Sequence, residues 1–208
     1  PKGKPIYLHS DAAQAPNVRT IARSALGIDL MSLNGGKIYG PKGSGCLFVA
    51  SNVEVEPLIY GGGQEHGLRS GTENTPAIVG FAEALKMTSS MRSEEVIRLR
   101  ELKDYAFKEL TKVGCSIIAP NKSSSEAIIS VWLPGIDSET AVYKLDKLGA
   151  YVSSGSACHA KSGEKSHVLR AIGLSDEDAM SVIRISLGRA TNLDNLGHLI
   201  KSIKQILA

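Results

Sequence analysis

Residues 27–51, GIDLMSLNGGKIYGPKGSGCLFVAS, constrain the fold of this chain more than any other stretch. Two short apolar runs, residues 28–33 and 45–51, flank a glycine-rich segment that carries Lys37 and Lys42. Runs of this length bounded by glycine and proline read as strands. The segment between them is then a loop at the end of a strand, and three uses are open to it: a phosphate cradle, a pair of ordinary turns, or the seat of a reactive lysine. A P-loop is excluded, because Ile38 follows Lys37 where that motif needs serine or threonine.

A third apolar run, residues 6–9, ends at "SDAAQ" and predicts a buried strand of the same sheet. Ligand-contacting groups of an α/β sheet lie just past such carboxyl ends. After "YGGGQEHGLRSGTENTP" a long helical pattern opens at Pro76, a good first-turn proline, and extends to Gly114, with a break expected near Ser89 and Ser90. From Cys115 strands and helices alternate. "CSIIAP" and "AIISVWLP" read as strands, and a helix capped by Asp137 and stopped by Gly149 follows. "AYVSSGSAC", helical "SHVLRAIG" and the strand "SVIRISLG" come next, then a last helix capped by Thr191 or Asn192. The pattern is α/β throughout, with a small second α/β unit at the C-terminal end.

Composition narrows the function classes. A net charge of +3 with scattered basic residues and 5% aromatics gives no nucleic-acid footprint. No apolar run approaches the roughly 18 residues a membrane span needs, so a soluble protein is expected. Cys46, Cys115 and Cys158 lie far apart with no CxxC spacing, which argues for a reducing compartment and against a disulfide framework or a zinc site. Cys46 and Cys115 sit in strand-like runs and read as packing residues. Cys158 is different. Its loop, "SSGSACHAKSGEKS", has no apolar lining and places His159, Lys161 and Lys165 close in sequence, a setting that favours the thiolate.

Three further residue types carry chemistry. Lys37, among small neighbours, could act as a Schiff-base nucleophile or be a surface lysine in a turn. Asp11 and Gln14 could present a carboxylate and an amide to a ligand, or Asp11 could be an N-cap. Arg184 interrupts an apolar strand and needs an anionic partner, either a structural carboxylate or a substrate carboxylate.

Taken together, "DAAQ", "DLMSLNGGKIYGPKGSG", "GGGQEHGLRSGTENTP", "SSGSACHA", "SHVLRAIG" and "IRISLGR" resemble, in order and spacing, the cysteine desulfurases of the NifS/IscS type and the related selenocysteine lyases. These are fold-type I enzymes dependent on pyridoxal 5'-phosphate. The resemblance covers nearly the whole chain and corresponds to the C-terminal half to two-thirds of such an enzyme. It implies residues 1–75 as the C-terminal part of the large cofactor-binding domain, 76–113 as a connecting helix region, and 114–208 as the small domain.

The resemblance also implies roles. Lys37 would bond the cofactor covalently and act as general base, Asp11 would pair with its ring nitrogen, and Gln14 would bond its ring hydroxyl. Cys158 would receive sulfur as a persulfide, and Arg184 would hold the substrate carboxylate. Thr72 would reach the phosphate across a homodimer interface, and Asn34 stands where the family usually has a phosphate-binding serine. Gly36 stands where the family commonly has a phosphate-contacting histidine before the lysine, which implies either weaker phosphate binding or compensation by the Gly36 backbone N–H and the Asn34 amide. The implied partners are L-cysteine, a second copy of the chain, the N-terminal segment of the same enzyme, and a sulfur-acceptor or scaffold protein, in the cytoplasm or an organelle matrix. Selenocysteine lyase and an inactive interaction module are the alternatives.

Overall fold

The computed structural model describes residues 5–118, 120, 124–154 and 166–208. It divides into two compact units, residues 1–94 and 95–208.

In the first unit, β1 (His9–Asp11), β2 (Leu30–Asn34) and β3 (Gly45–Val49) form one sheet in the order β1-β2-β3. β1 runs parallel to β2, with Asp11 opposite Ser32, and β3 returns antiparallel to β2. The parallel pair is joined through a 3-10 turn at Ala15–Asn17 and the short helix α1 (Arg23–Leu26). Alternation sets the faces of β2: Met31 and Leu33 are buried while Asn34 is exposed. They join Ala12, Ile28, Ile38 and Phe81 in the core of this unit. The first strand differs from expectation. It begins at His9 rather than at Ile6, and Ile6 and Leu8 are exposed, because no described strand pairs with the outer edge of β1.

Helix α2 (Thr75–Lys112) runs unbroken for 38 residues, so the expected interruption near Ser89 and Ser90 is absent. Serine disfavours a helix only by competing for backbone groups. The Ser90 hydroxyl donates to Met87 O from within the helix and leaves it intact. Asn74 starts the helix by accepting from Ala77 N through Oδ1. The division between the two units falls inside α2, between Glu94 and Glu95.

The second unit holds an antiparallel sheet in the order β4-β5-β7-β6, from β4 (Ser116–Ile117), β5 (Ile128–Trp132), β6 (Ser153–Ser154) and β7 (Val182–Ser186). Its helices are α3 (Ser138–Lys147), α4 (His167–Ala171), α5 (Asp176–Met180) and α6 (Leu193–Leu207). Ile129, Val131, Ile183 and Ile185 are buried on one face of the sheet, paired across β5 and β7. Asp137 caps α3 by accepting from Thr140 N, and Gly149 follows its end with φ 75°. Asn192 and Asn195 close α6 in a reciprocal capping box. The α5 helix, capped by Ser175, has no counterpart in the sequence expectation. Arg98 ties α2 to the β7–α6 connection, donating to Thr191 O at 2.6 Å and Gly188 O at 2.8 Å while pairing with Glu95.

Candidate active site

Asp11 ends β1 and Asn34 ends β2. Because these strands are parallel, both residues emerge at the same carboxyl edge of the sheet, the edge at which α/β proteins bind ligands. Asp11 is exposed. Its Oδ1 accepts from Ala13 N at 3.0 Å, and its Oδ2 has no hydrogen-bond partner among the described residues. Gln14 precedes the 3-10 turn and makes no side-chain bond to it, which leaves its amide uncommitted.

Lys37 completes a second 3-10 turn, Gly35–Lys37, directly after β2, and its side chain is exposed. This turn is built tightly. Gly35 O accepts from both Ile38 N and Gly40 N, and a Cβ on Gly35 would run into Ser44 Oγ and stand 2.9 Å from Pro41 O. Only glycine fits there. Ile38, fully buried, pins the turn into the core, and Tyr39 is held at φ 65° beside it, a left-handed conformation unusual for a tyrosine. From α2, Gly80 lies so close to Pro41 that a Cβ would come within 2.6 Å of its ring, and Thr88 Oγ1 reaches Ile38 O at 3.4 Å.

The amide of Asn34 is likewise unused by its own turn. A Cβ at Gly36 would stand 3.3 Å from Asn34 Oδ1, which would have to give by a few tenths of an ångström, and in ordinary contact with Lys42 Cγ at 3.9 Å. A further residue, not singled out from sequence, joins the two loops: Asn17 Nδ2 donates to Lys37 O at 2.7 Å. The available signal was slight, an asparagine following a proline in a turn-forming stretch.

Thr72 is exposed on a separate loop before α2, beyond a knot in which Gly71 N donates to Gln64 Oε1 and Gly63 N to Ser70 Oγ. No hydrogen bond among the described residues joins it to the Lys37 turn.

In the second unit, Arg184 lies on the face of the sheet opposite the buried aliphatics, in register with Ser130 on one side and Ser153 on the other. Among the described residues its Nε is buried without a hydrogen-bond partner, a donor on a permanent cation. Of the cysteines, Cys115 is buried, and burial pushes its thiol up to about 11. Cys46 is exposed rather than a packing residue, since the first residues of β3 carry no cover. Partial burial of its sulfur and the nearby Glu65 carboxylate still raise its pKa. Neither is an activated thiolate at neutral pH. Cys158 lies outside the described residues, four positions beyond the end of β6.

The family model for Aminotransferase class-V matches residues 2–199. The chain belongs to the class-V aminotransferase family. It is 37% identical over 202 residues to cysteine desulfurase IscS 1 of Archaeoglobus fulgidus, with 96% of this chain and 53% of that protein covered. It is 40% identical over 203 residues to cysteine desulfurase IscS of Edwardsiella ictaluri, with 96% and 50% covered. Among solved structures, the NifS-like protein from Rickettsia africae superposes with a TM-score of 0.87 at 33% identity, over 95% of this chain and 52% of that one. This likeness confirms the fold-type I class. The chain spans about half the length of the curated relatives it matches.

Class-V aminotransferases and cysteine desulfurases depend on pyridoxal 5'-phosphate. The residues at the carboxyl edge of the first sheet fit that cofactor. They offer a primary amine, a carboxylate with an oxygen to spare, two uncommitted amides, and backbone at Gly36 that carries no side chain of its own.

Proposed function

We propose that this chain carries the lysine-bearing part of a pyridoxal phosphate-dependent cysteine desulfurase, which removes sulfur from L-cysteine to give L-alanine and an enzyme persulfide for iron–sulfur cluster or thiolation pathways. The observation that supports this most is the convergence of Lys37, Asp11, Gln14 and Asn34 at one carboxyl edge of the sheet.

When bound, the cofactor withdraws electrons from the substrate's α-carbon. Lys37 would hold it covalently, Asp11 would keep its ring nitrogen protonated, and Gln14 and Asn34 would orient the ring and the phosphate, helped by Thr72 of a second copy in a homodimer. The freed Lys37 amine takes the α-proton as general base and later returns it. Arg184 would hold the substrate carboxylate through its guanidinium, as a charge-assisted pair. The Cys158 thiolate attacks the substrate sulfur; the new S–S bond forms as the C–S bond breaks. That electron pair stays on carbon, which is protonated to the methyl group of alanine, and the sulfur remains as the persulfide, ready for an acceptor protein in the cytoplasm or an organelle matrix.

The test is turnover by the intact protein that contains this chain. Supplied with L-cysteine and pyridoxal phosphate, it should release alanine, and Cys158→Ser should abolish release while leaving cofactor binding in place. Full alanine release by the Cys158→Ser protein would contradict the assignment of the sulfur acceptor.

A further inference from the structure

The two loops at the carboxyl edge come from different strands, and a side chain joins them. Lys37 O is not used by its own turn, in which Ile38 N and Gly40 N both go to Gly35 O. The half-buried Asn17 supplies the donor, 20 positions earlier in sequence, through Nδ2 at 2.7 Å. Asn17 itself ends the 3-10 turn that follows Gln14.

Helix α2 holds both sides of this contact from residues one helical turn apart. Arg92 Nε donates to Pro16 O at 2.9 Å, and its other nitrogens reach Thr20 Oγ1 and Ser89 Oγ. Thr88 Oγ1 reaches Ile38 O, the residue after Lys37. The loop of Asp11 and Gln14, the turn of Lys37 and α2 thus form a closed frame, and the Asn17 amide is its closing link. Lysine has a long, rotamer-rich side chain, so the placement of its amine depends on a backbone that does not move.

We propose that Asn17 is a positioning residue: its bond to Lys37 O fixes the backbone from which the reactive amine extends, relative to Asp11 and Gln14. This rests on the functional reading of Lys37. A one-ångström error in the placement of a reacting group costs up to about a hundredfold in rate, and substrate binding need not change. A residue that acts in this way therefore shows in kcat and leaves KM alone.

The experiment compares the intact holoprotein with Asn17→Asp, which keeps the shape and removes the donor, and with Asn17→Ala. Three quantities are read: kcat and KM for L-cysteine, the position of the borohydride-trapped cofactor by peptide mass, and hydrogen exchange at the Ile38 and Gly40 amides. Both variants should keep the cofactor on Lys37, lose about tenfold in kcat with KM within about twofold, and exchange those two amides about fivefold faster. Asn17→Gln, which retains the amide, should recover part of kcat. If Asn17→Ala fails to fold, the isosteric Asn17→Asp gives the answer. Unchanged kcat and exchange in the variants, or an effect confined to KM, would overturn the positioning role while the functional reading stands. Trapping on a different lysine in the parent protein would overturn both.

Discussion

Arg184 and Ser153 face each other across β7 and β6, and Ser153 lies five positions before Cys158 in the sequence. The strand beside Arg184 therefore precedes, in sequence, the segment that carries the proposed sulfur acceptor. Among the described residues Arg184 Nε is buried without a hydrogen-bond partner, so no structural carboxylate is seen to hold it.

Replacing Arg184 should act on substrate affinity. A charge-assisted bond to a carboxylate contributes about 1.5–3 kcal/mol, so Arg184→Gln is expected to raise KM for L-cysteine roughly 10- to 100-fold. Steady-state kinetics read this, with the melting temperature as a control for folding. An unchanged KM would remove Arg184 from the site.

Cys115 makes stability depend on alkaline pH. Its thiol titrates near 11 in the folded chain, against 9.0 for the unperturbed group, so the folded state holds its proton longer than the unfolded state does. The stabilisation is complete below pH 9.0 and is lost as pH rises from 9.0 to about 11, with a full loss on the order of 2–3 kcal/mol. Urea unfolding at pH 8 and pH 10.5 should show this drop in the parent protein and a smaller one in Cys115→Ala.

Cys46 should be accessible but sluggish. Its thiol is raised by partial burial and by Glu65, so little thiolate forms at neutral pH. Iodoacetamide should label it more slowly than a free thiol at pH 8, and Glu65→Gln should quicken the reaction. A rate that ignores Glu65 would show that burial alone sets its reactivity.

How far the sequence could be read depended on whether a feature was local. Asp137 and Gly149 bracket α3 because capping chemistry involves neighbours in sequence, and Asn192 caps α6 for the same reason. The edge that gathers Asp11 and Lys37 was visible too, through the strand-loop pattern around each. Non-local facts were not. The exposure of Cys46 and Ile6 depends on which strands lack neighbours, and the Asn17–Lys37 bond depends on β1 and β2 lying side by side. The continuity of α2 through Ser89 and Ser90 is not legible in the sequence, because it shows only where the Ser90 hydroxyl donates back to Met87 O within the helix.

The Asp137 cap offers a check on the second unit alone. Bonds from the Thr140 backbone and side chain hold its carboxyl below its usual range. Its stabilisation is thus present above the unfolded carboxylate range and lost as pH falls through the lowered folded value. Asp137→Ala should cost about 1 kcal/mol at pH 7 by thermal unfolding, and less in acid.

The most direct measurement concerns Lys37. The intact protein, incubated with pyridoxal 5'-phosphate, reduced with borohydride and digested, should carry the cofactor mass on the peptide containing Lys37, and Lys37→Ala should lose both that adduct and the visible absorption band. A reducible adduct that survives Lys37→Ala, or one found on Lys42 instead, would contradict the assignment of the site.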